Sequence, residues 1–155
     1  MDRYFASMPF GKIIWRSNWS ISTDGVLFKL GPSGHHSDIR DESESDHQKN
    51  VTMAPSHYEP SPEELEWWRV ESKTIDGNKC ALRMERQTLH RLEKTGALIF
   101  GFTTILEPLS ELKKEGCGPQ LAEALNGLKS GSSPAMDVYK NGVIWREPLV
   151  EYLTS

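Results

Sequence analysis

The sequence predicts an α+β fold in which an antiparallel sheet is flanked by short helices. Side chains alternate in character from Cys80 to Leu89, and the run from Ala97 to Leu106 is apolar and rich in β-branched and aromatic residues. Alternation with a period of two is typical of strands. Ser61-Pro62 opens a segment with the residues of a helix N-terminus. The length of 155 residues suits one domain.

The stretch from Lys79 to Leu106 forms the centre of the predicted sheet. Its strands are joined by Glu93-Lys94-Thr95-Gly96, in which Gly96 can take the positive φ that tight loops often need. A continuous apolar strand is typical of a central strand covered on both faces, so we expect Ala97–Leu106 to be covered. A helix over Ala81–Glu93 competes, because its apolar residues also fit a period of 3.6. The β-rich return strand and Gly96 favour the hairpin.

Polar side chains share one face of the first strand of this hairpin. Arg83, Glu85 and Gln87 lie on one face, and Met84 and Arg86 lie on the other. In one interpretation the polar face is solvated, as antiparallel sheets commonly allow, and Arg83 pairs weakly with Glu85. In the other, the row lines a pocket where arginine holds a carboxylate and Glu or Gln orients a polar substrate. The sequence leaves both interpretations open.

A further strand is predicted over Gly11–Ser22, with Arg16 and Asn18 on one face. Asp24-Gly25 is a strong hairpin signal, so Val26–Leu30 is expected to be the partner strand. Arg16 and Asn18 either line a pocket or belong to a solvated sheet face, and the pattern alone does not separate these alternatives.

Residues 31–62 differ from the rest of the chain in being polar and without periodicity. This composition is typical of a long surface loop or a disordered insert. The spacing of its histidines matches no zinc pattern and no cysteine lies nearby, so no metal site is predicted. The histidines are His35, His36, His47 and His57.

Short helices are expected after this insert and after the hairpin. The helix that starts at Ser61-Pro62 is predicted to run into a strand near Trp68–Lys73. Two further helices are predicted over Pro108–Glu115 and Pro119–Leu128. Near the end of the sequence, Val138–Lys140 and Val143–Trp145 are expected to be strand segments around an Asn-Gly turn, followed by a short helix over Leu149–Leu153.

Composition excludes several functional classes. The net charge of −4 gives no electrostatic reason to expect nucleic acid or a membrane surface as a partner. The 2 cysteines do not make a secreted disulfide framework. No apolar run approaches the ~20 residues of a membrane helix, and no signal-peptide pattern is present. A cytoplasmic protein is the default expectation.

Four segments carry a resemblance to a known family. They are WRSNWSISTDGVLF from Trp15, RMERQTLHRLEKTGALIF from Arg83, PLSELKKEG with LAEALNGL after the hairpin, and VYKNGVIW from Val138. In order and spacing they resemble the heme-dependent oxidative N-demethylase-like proteins, also called the HRQ family. The resemblance covers most of the chain except about residues 31–65. The Glu-Arg-Gln-Thr-Leu run from Glu85 is its most specific part.

The resemblance implies a PAS-like antiparallel sheet with short flanking helices that binds heme b. It also implies monooxygenase-type oxidative removal of an N-methyl group from a small-molecule substrate, a small amine or related metabolite, as in fungal members that lie among accessory oxidoreductases. A reductase partner or another subunit is expected. Family members usually carry a larger N-terminal portion, so we expect an incomplete domain here. The alternatives are a non-catalytic PAS-like ligand-binding or interaction module and a truncated, inactive fragment.

The resemblance also names candidate site residues. Glu85 and Gln87 are expected to contact substrate or dioxygen. Arg83 and Arg86 lie on opposite faces of one strand, so we expect only one of them to bind a heme propionate. The remaining cofactor-binding candidates are Arg16, Asn18, His90 as an iron ligand, and Tyr139 through its hydroxyl group.

Overall fold

The computed structural model describes residues 7–27, 60–130 and 136–155. Within these ranges it contains a three-stranded antiparallel sheet in the order β1-β2-β3. The strands are β1 (Ile13–Ser22), β2 (Ala81–Arg91) and β3 (Leu98–Pro108). The helices are α1 (Pro62–Ser72), α2 (Leu109–Lys114), α3 (Gly118–Gly127), α4 (Met136–Tyr139) and α5 (Gly142–Thr154). The α+β prediction is confirmed, and the finer PAS-like description stays a prediction.

The central hairpin forms as predicted, and the competing helix is excluded. The N–H of Leu92 donates to the carbonyl oxygen of Ala97 at 2.9 Å, which closes the turn between β2 and β3. Gly96 has a φ of +70°, a conformation that costs glycine nothing and strains other residues. The turn chemistry and the alternating pattern thus agree on the same hairpin.

The strand β1 pairs with β2 and not with the residues that follow it. Asn18 lies opposite Glu85, and Arg16 lies opposite Gln87. The Asp24-Gly25 turn does form, since Asp24 Oδ1 accepts a hydrogen bond from the N–H of Val26 at 3.1 Å. However, Val26 and Leu27 are not in a strand, so this part of the predicted Val26–Leu30 partner strand is wrong. One edge of β1 is occupied by β2, and residues 28–30 lie outside the described residues.

The prediction that the apolar strand is central and covered is also wrong. β3 lies at the edge of the described sheet, and five of its large apolar residues are substantially exposed. They are Leu98, Ile99, Phe100, Phe102 and Ile105. Apolar side chains on both faces indicate that a strand can be buried on both faces. They do not indicate that the residues that bury it belong to the same sheet or the same chain.

The helix α1 starts as predicted but continues further. Ser61 and Glu64 form a capping box: the N–H of Glu64 donates to Ser61 Oγ at 3.2 Å, and the N–H of Ser61 donates to Glu64 Oε2 at 2.8 Å. The helix extends to Ser72, so the strand expected near Trp68–Lys73 is wrong. No Gly or Pro interrupts the segment from Glu63 to Ile75, so the helix continues to Ser72 and ends shortly before the turn at Asp76-Gly77.

The two strand segments predicted near the end of the sequence are helical. Val138–Lys140 falls in and just after α4, and Val143–Trp145 belongs to α5. Asn141 has a φ of +57°, so it separates two helices instead of turning a hairpin. Trp145, Leu149 and Leu153 recur every four residues and are all buried, which is a helical period. The strand prediction considered only the short segments 138–140 and 143–145 and therefore missed this period.

The hydrophobic core lies where α3 and α5 meet one end of the sheet. It contains Ile21 from β1 and Cys80 before β2, with Leu109, Leu125 and Leu149 from the helices. The predicted helices over Pro108–Glu115 and Pro119–Leu128 are confirmed as α2 and α3. Between helices α3 and α5 the approach is close, because a Cβ atom at Gly118 would lie 2.4 Å from the carbonyl oxygen of Leu153.

Two predictions concern residues that the structure does not describe. The polar insert lies outside the described residues up to position 59, and so do its four histidines. The prediction that no membrane helix is present concerns the described residues instead. None of their helices combines the length and the apolar character needed to cross a membrane.

Candidate functional site

The polar row of β2 lies on the buried side of the strand. Glu85 and Gln87 are only 4% and 6% exposed, whereas Met84 is 36% exposed on the opposite face and Arg86 is also exposed. A half-buried strand usually buries its apolar residues and solvates its charged ones. Here the two are exchanged, so the interpretation of Arg83, Glu85 and Gln87 as a solvated face is wrong. We call the side of the sheet that carries these three residues the polar face.

Hydrogen bonds connect the polar face across β1 and β2. The Nε–H of Arg16 donates to Gln87 Oε1 at 2.6 Å, and Gln87 Nε2 donates to Glu85 Oε2 at 2.8 Å. The Nε–H of Arg83 donates to Glu85 Oε1 at 3.2 Å. Both oxygens of the Glu85 carboxylate therefore accept hydrogen bonds, and the Gln87 amide is fixed at both ends.

The guanidinium group of Arg83 donates hydrogen bonds to three acceptors, which lie on β2, on β3 and in the segment after β1. Besides Glu85, it donates to the carbonyl oxygen of Leu27 at 3.3 Å and to Thr104 Oγ1 on β3 at 3.4 Å. The side chains of Arg83 and Glu85 are 11% and 5% exposed. A buried ion pair needs such additional hydrogen bonds to offset its desolvation. Arg83 thus serves as a structural cation of the polar face.

Lys140 brings a second buried cation to this network from the far end of the sequence. Its Nζ donates to Asn18 Oδ1 at 3.1 Å and to the carbonyl oxygen of Trp19, and it lies 5.1 Å from the centre of the Trp19 ring. Burial lowers the pKa of Lys140, and the negative charge of Glu85 partly opposes this shift. Because Asn18 lies opposite Glu85 in the ladder, Lys140 approaches the carboxylate from the β1 side.

The corner between α4 and α5 holds Lys140 in place. The Nε1–H of Trp145 donates to the carbonyl oxygen of Lys140 at 3.1 Å. Arg146 Nε lies 3.3 Å from Asp137 Oδ1, and both side chains are buried. This ion pair ties the start of α4 to α5 across Lys140 and Asn141. The backbone that carries Lys140 is therefore fixed on both sides.

Exposed aromatic side chains border the polar face on β3. Phe102 lies opposite Gln87 and Phe100 lies opposite Leu89, so both rings project from the same side of the sheet as Glu85. They are 59% and 52% exposed, and their centres are 6.1 Å apart. We call Leu98, Phe100 and Phe102 the β3 platform. A buried polar row beside an exposed apolar surface is a common composition of ligand sites.

A comparison with known protein families identifies the family of this chain. Residues 1–150 match the family described as "Haem-dependent oxidative N-demethylase, alpha subunit-like". The chain belongs to this family. The resemblance inferred from the four sequence segments is thereby confirmed, and with it a heme-dependent oxidative N-demethylase-like character at the level of the family. No curated protein matches the chain.

The structure brings five of the eight predicted site residues of this family member together. They form the network on the polar face: Arg16, Asn18, Arg83, Glu85 and Gln87. Arg86 and His90 project from the opposite face, where His90 lines a shallow depression with Ile13. Tyr139 lies in α4 and is partly exposed, next to Lys140. Their roles in binding a cofactor stay predictions.

Two residues of the network were not predicted as site residues. Thr104 lies within a strand that was predicted only as an apolar run, so it was not singled out. Its position opposite Glu85 follows from the hairpin register. Lys140 was visible only as part of the closing segment of the family resemblance. No local pattern relates it to Asn18, because the contact joins residues that are 122 positions apart.

Proposed function

We propose that this chain is a heme-dependent oxidoreductase of the oxidative N-demethylase type, acting on a small amine or a related metabolite. The observation that carries this proposal is the buried row of Arg83, Glu85 and Gln87 beside the exposed rings of Phe100 and Phe102. The family supports heme as the cofactor, and we assign it as heme b. A reductase partner or another subunit would supply electrons.

The composition of the polar face fits a heme group. A heme needs a broad apolar contact for its ring and cations for its two propionates. The β3 platform offers the apolar contact. Arg16 is exposed, and within the described part of the chain only its Nε–H donates a hydrogen bond, to Gln87. Its terminal N–H groups can therefore bind a propionate, and we assign Arg16 to this role. Arg83 is already engaged by three acceptors and is the weaker candidate.

The remaining polar groups would hold the substrate. When bound, the heme would supply the activation of dioxygen. The carboxylate of Glu85 carries the negative charge that attracts a protonated amine, and Arg83 and Gln87 keep it in one orientation. The overall reaction consumes one dioxygen, two protons and two electrons supplied by a reductase, and it converts the N-methylated amine to the demethylated amine, formaldehyde and one water. His90 has no part in this arrangement because it projects from the other face.

Heme binding can be tested by titrating the purified chain and following the Soret band. Phe102→Ala should weaken binding at least tenfold, whereas Ile105→Ala should not, since Ile105 is similarly exposed on the same strand but on the opposite face. Arg16→Met should weaken binding, and the exposed Arg86 on the other face provides the matched control Arg86→Met. Equal effects within each pair would overturn the placement of heme on the polar face.

Turnover is tested separately with the heme-loaded chain, a chemical reductant and an N-methylated amine, by measuring formaldehyde. Glu85→Gln keeps a hydrogen-bond acceptor but removes the charge, so turnover should be lost while the Soret band is retained. The control is Glu107→Gln on the opposite face at the end of β3. Unchanged turnover in Glu85→Gln would remove Glu85 from the mechanism.

A second candidate function is a non-catalytic ligand-binding or interaction module. The exposed apolar residues of β3 favour it, because surfaces of this kind often mark interaction sites. Stoichiometric heme binding without formaldehyde release from any N-methylated amine tested would select this alternative.

A further inference from the structure

The outer edge of β3 carries a row of backbone groups directed away from β2. Hydrogen-bonded pairs alternate along an antiparallel ladder. The N–H of Leu92 donates to the carbonyl of Ala97, and the N–H of Leu109 donates to the carbonyl of Cys80, so the odd-numbered residues of β3 bond to β2. The even-numbered residues direct their N–H and C=O groups to the outer edge. They are Leu98, Phe100, Phe102, Thr104 and Leu106.

This edge lacks the features that usually protect an edge strand. Natural sheets place lysine, proline or a bulge on such edges. The segment from Ala97 to Leu106 contains no charged residue and no proline, and its register with β2 is continuous. Large apolar side chains are exposed on both of its faces, with Ile105 51% exposed opposite the β3 platform. In the described part of the chain no strand pairs with this edge.

We propose that β3 pairs antiparallel with β3 of a second copy of this chain, about a two-fold axis at Phe102. The three strands of each copy would then form one continuous sheet across the dimer. With Phe102 opposite itself, Phe100 lies opposite Thr104 and Leu98 lies opposite Leu106. Each of the outward N–H groups then meets an outward carbonyl group of the other copy.

The occupant is a second copy because this edge is complementary to itself. A two-fold axis requires that one surface fits its own image. In the proposed register Leu98 meets Leu106 on one face and Ile99 meets Ile105 on the other, so aliphatic residues pair with aliphatic residues. No charge faces a like charge along the paired segment. A charged strand from a different protein would meet no countercharge here.

The register can be tested with paired cysteines. Ile99 and Ile105 of the other copy form a pair without hydrogen bonds, with Cα atoms about 4.5 Å apart, which suits a disulfide. The variant Ile99→Cys/Ile105→Cys, made with Cys117→Ser to remove the exposed native thiol, should give covalent dimers on mild oxidation. A disulfide within one copy is excluded, because six residues of a strand span about 20 Å.

The single variants Ile99→Cys and Ile105→Cys are the matched controls, since each places its thiols far from one another across the axis. Covalent dimer in the double variant alone supports the proposed register. Equal dimer yield in the single and double variants, or no dimer in any of them, would overturn it.

A second measurement is independent of the disulfide. Sedimentation of the unmodified chain should show a concentration-dependent dimer, and Ile105→Lys should shift it at least tenfold toward monomer. Ile13→Lys on β1 is the control, because Ile13 is 62% exposed at the other edge of the sheet. Ile105 lies outside the β3 platform, so this result does not depend on heme binding. A chain that stays monomeric, or a dimer dissociated only by Ile13→Lys, would overturn the proposal.

Discussion

Lys140 Nζ donates to Asn18 Oδ1 at 3.1 Å, which joins the segment between α4 and α5 to β1 across 122 positions of the sequence. Lys140 also reaches the carbonyl oxygen of Trp19, at the edge of β1 that does not face β2. The contact therefore satisfies a backbone carbonyl group at this edge and brings a cation toward Glu85 at the same time. The fold of the helical end and the electrostatics of the polar face depend on each other through this one side chain.

The lowered pKa of Lys140 predicts a pH dependence of stability. Between its folded pKa and the ordinary value of 10.5, the unfolded chain holds the proton and the folded chain has released it. Stability from this group therefore rises as pH increases toward 10.5, and the cost of burying the charge is fully present below the folded pKa. Relative to Lys140→Met, the wild-type chain should gain free energy of unfolding across this window.

Urea unfolding of both proteins at a series of pH values from neutral to alkaline measures this difference. Lys129→Met is the control, since Lys129 is an exposed lysine after α3. A wild-type to Lys140→Met difference that does not change with pH would contradict the prediction.

Cys80 predicts a dependence of opposite sign. Burial, together with the charges of Asp76 and Asp24, raises the pKa of the Cys80 thiol from 9.0 to about 11. Above pH 9 the unfolded chain loses this proton while the folded chain keeps it, so stability falls as pH rises from 9 to about 11. A shift of this size corresponds to at most about 3 kcal/mol.

The variant Cys80→Ala should lack this loss. The unfolding free energy of the wild-type chain minus that of the variant is measured in a mildly alkaline and in a strongly alkaline buffer. The change of this difference between the two buffers is the quantity of interest. The exposed Cys117 provides the control Cys117→Ala, whose difference should stay flat. A parallel fall in wild type and Cys80→Ala would show that another group titrates in this range.

The sequence predicted what local pattern determines and missed what depends on distant contacts. The hairpin of β2 and β3 and the start of α1 follow from turn and cap residues within a few positions. The alternation in β2 correctly separated Glu85 from Met84, but it could not tell which of the two is buried. That choice rests on Lys140 and on Arg16, which come from other parts of the chain. Periodicity gives the faces of a strand, and the tertiary contacts decide which face is covered.

Two glycines of α3 provide a test of helix packing. Gly118 lies against the backbone of Leu153, so Gly118→Ala would place a methyl group 2.4 Å from its carbonyl oxygen and force α3 and α5 apart. We expect a loss of about 1–3 kcal/mol, the usual range for overpacking. Gly127 in the same helix has open space around its Cβ position. Gly127→Ala should therefore be neutral or stabilise by about 0.4–1 kcal/mol. Thermal or urea unfolding measures both, and equal effects would contradict the close approach.

Asp137 and Arg146 test whether the α4–α5 corner depends on a buried charge pair. Their side chains are 5% and 8% exposed, so Asp137→Asn leaves Arg146 buried, and among the described residues its remaining carboxylate neighbour is the exposed Glu147, at 3.6 Å. Loss of one member of a buried pair costs about 3–5 kcal/mol. The exposed pair Arg69 and Glu66 is the control, and Glu66→Gln should change stability by less than about 1 kcal/mol.

The double variant Asp137→Asn/Arg146→Met separates the pair from its members. Removing both charges avoids an uncompensated buried cation, so the double variant should be more stable than Asp137→Asn alone. Because the corner positions Lys140, the pH-dependent gain predicted for Lys140 should also shrink in Asp137→Asn. An unchanged pH profile in Asp137→Asn would mean that this ion pair acts independently of Lys140, and a double variant no more stable than Asp137→Asn would contradict the cost of the unpaired cation.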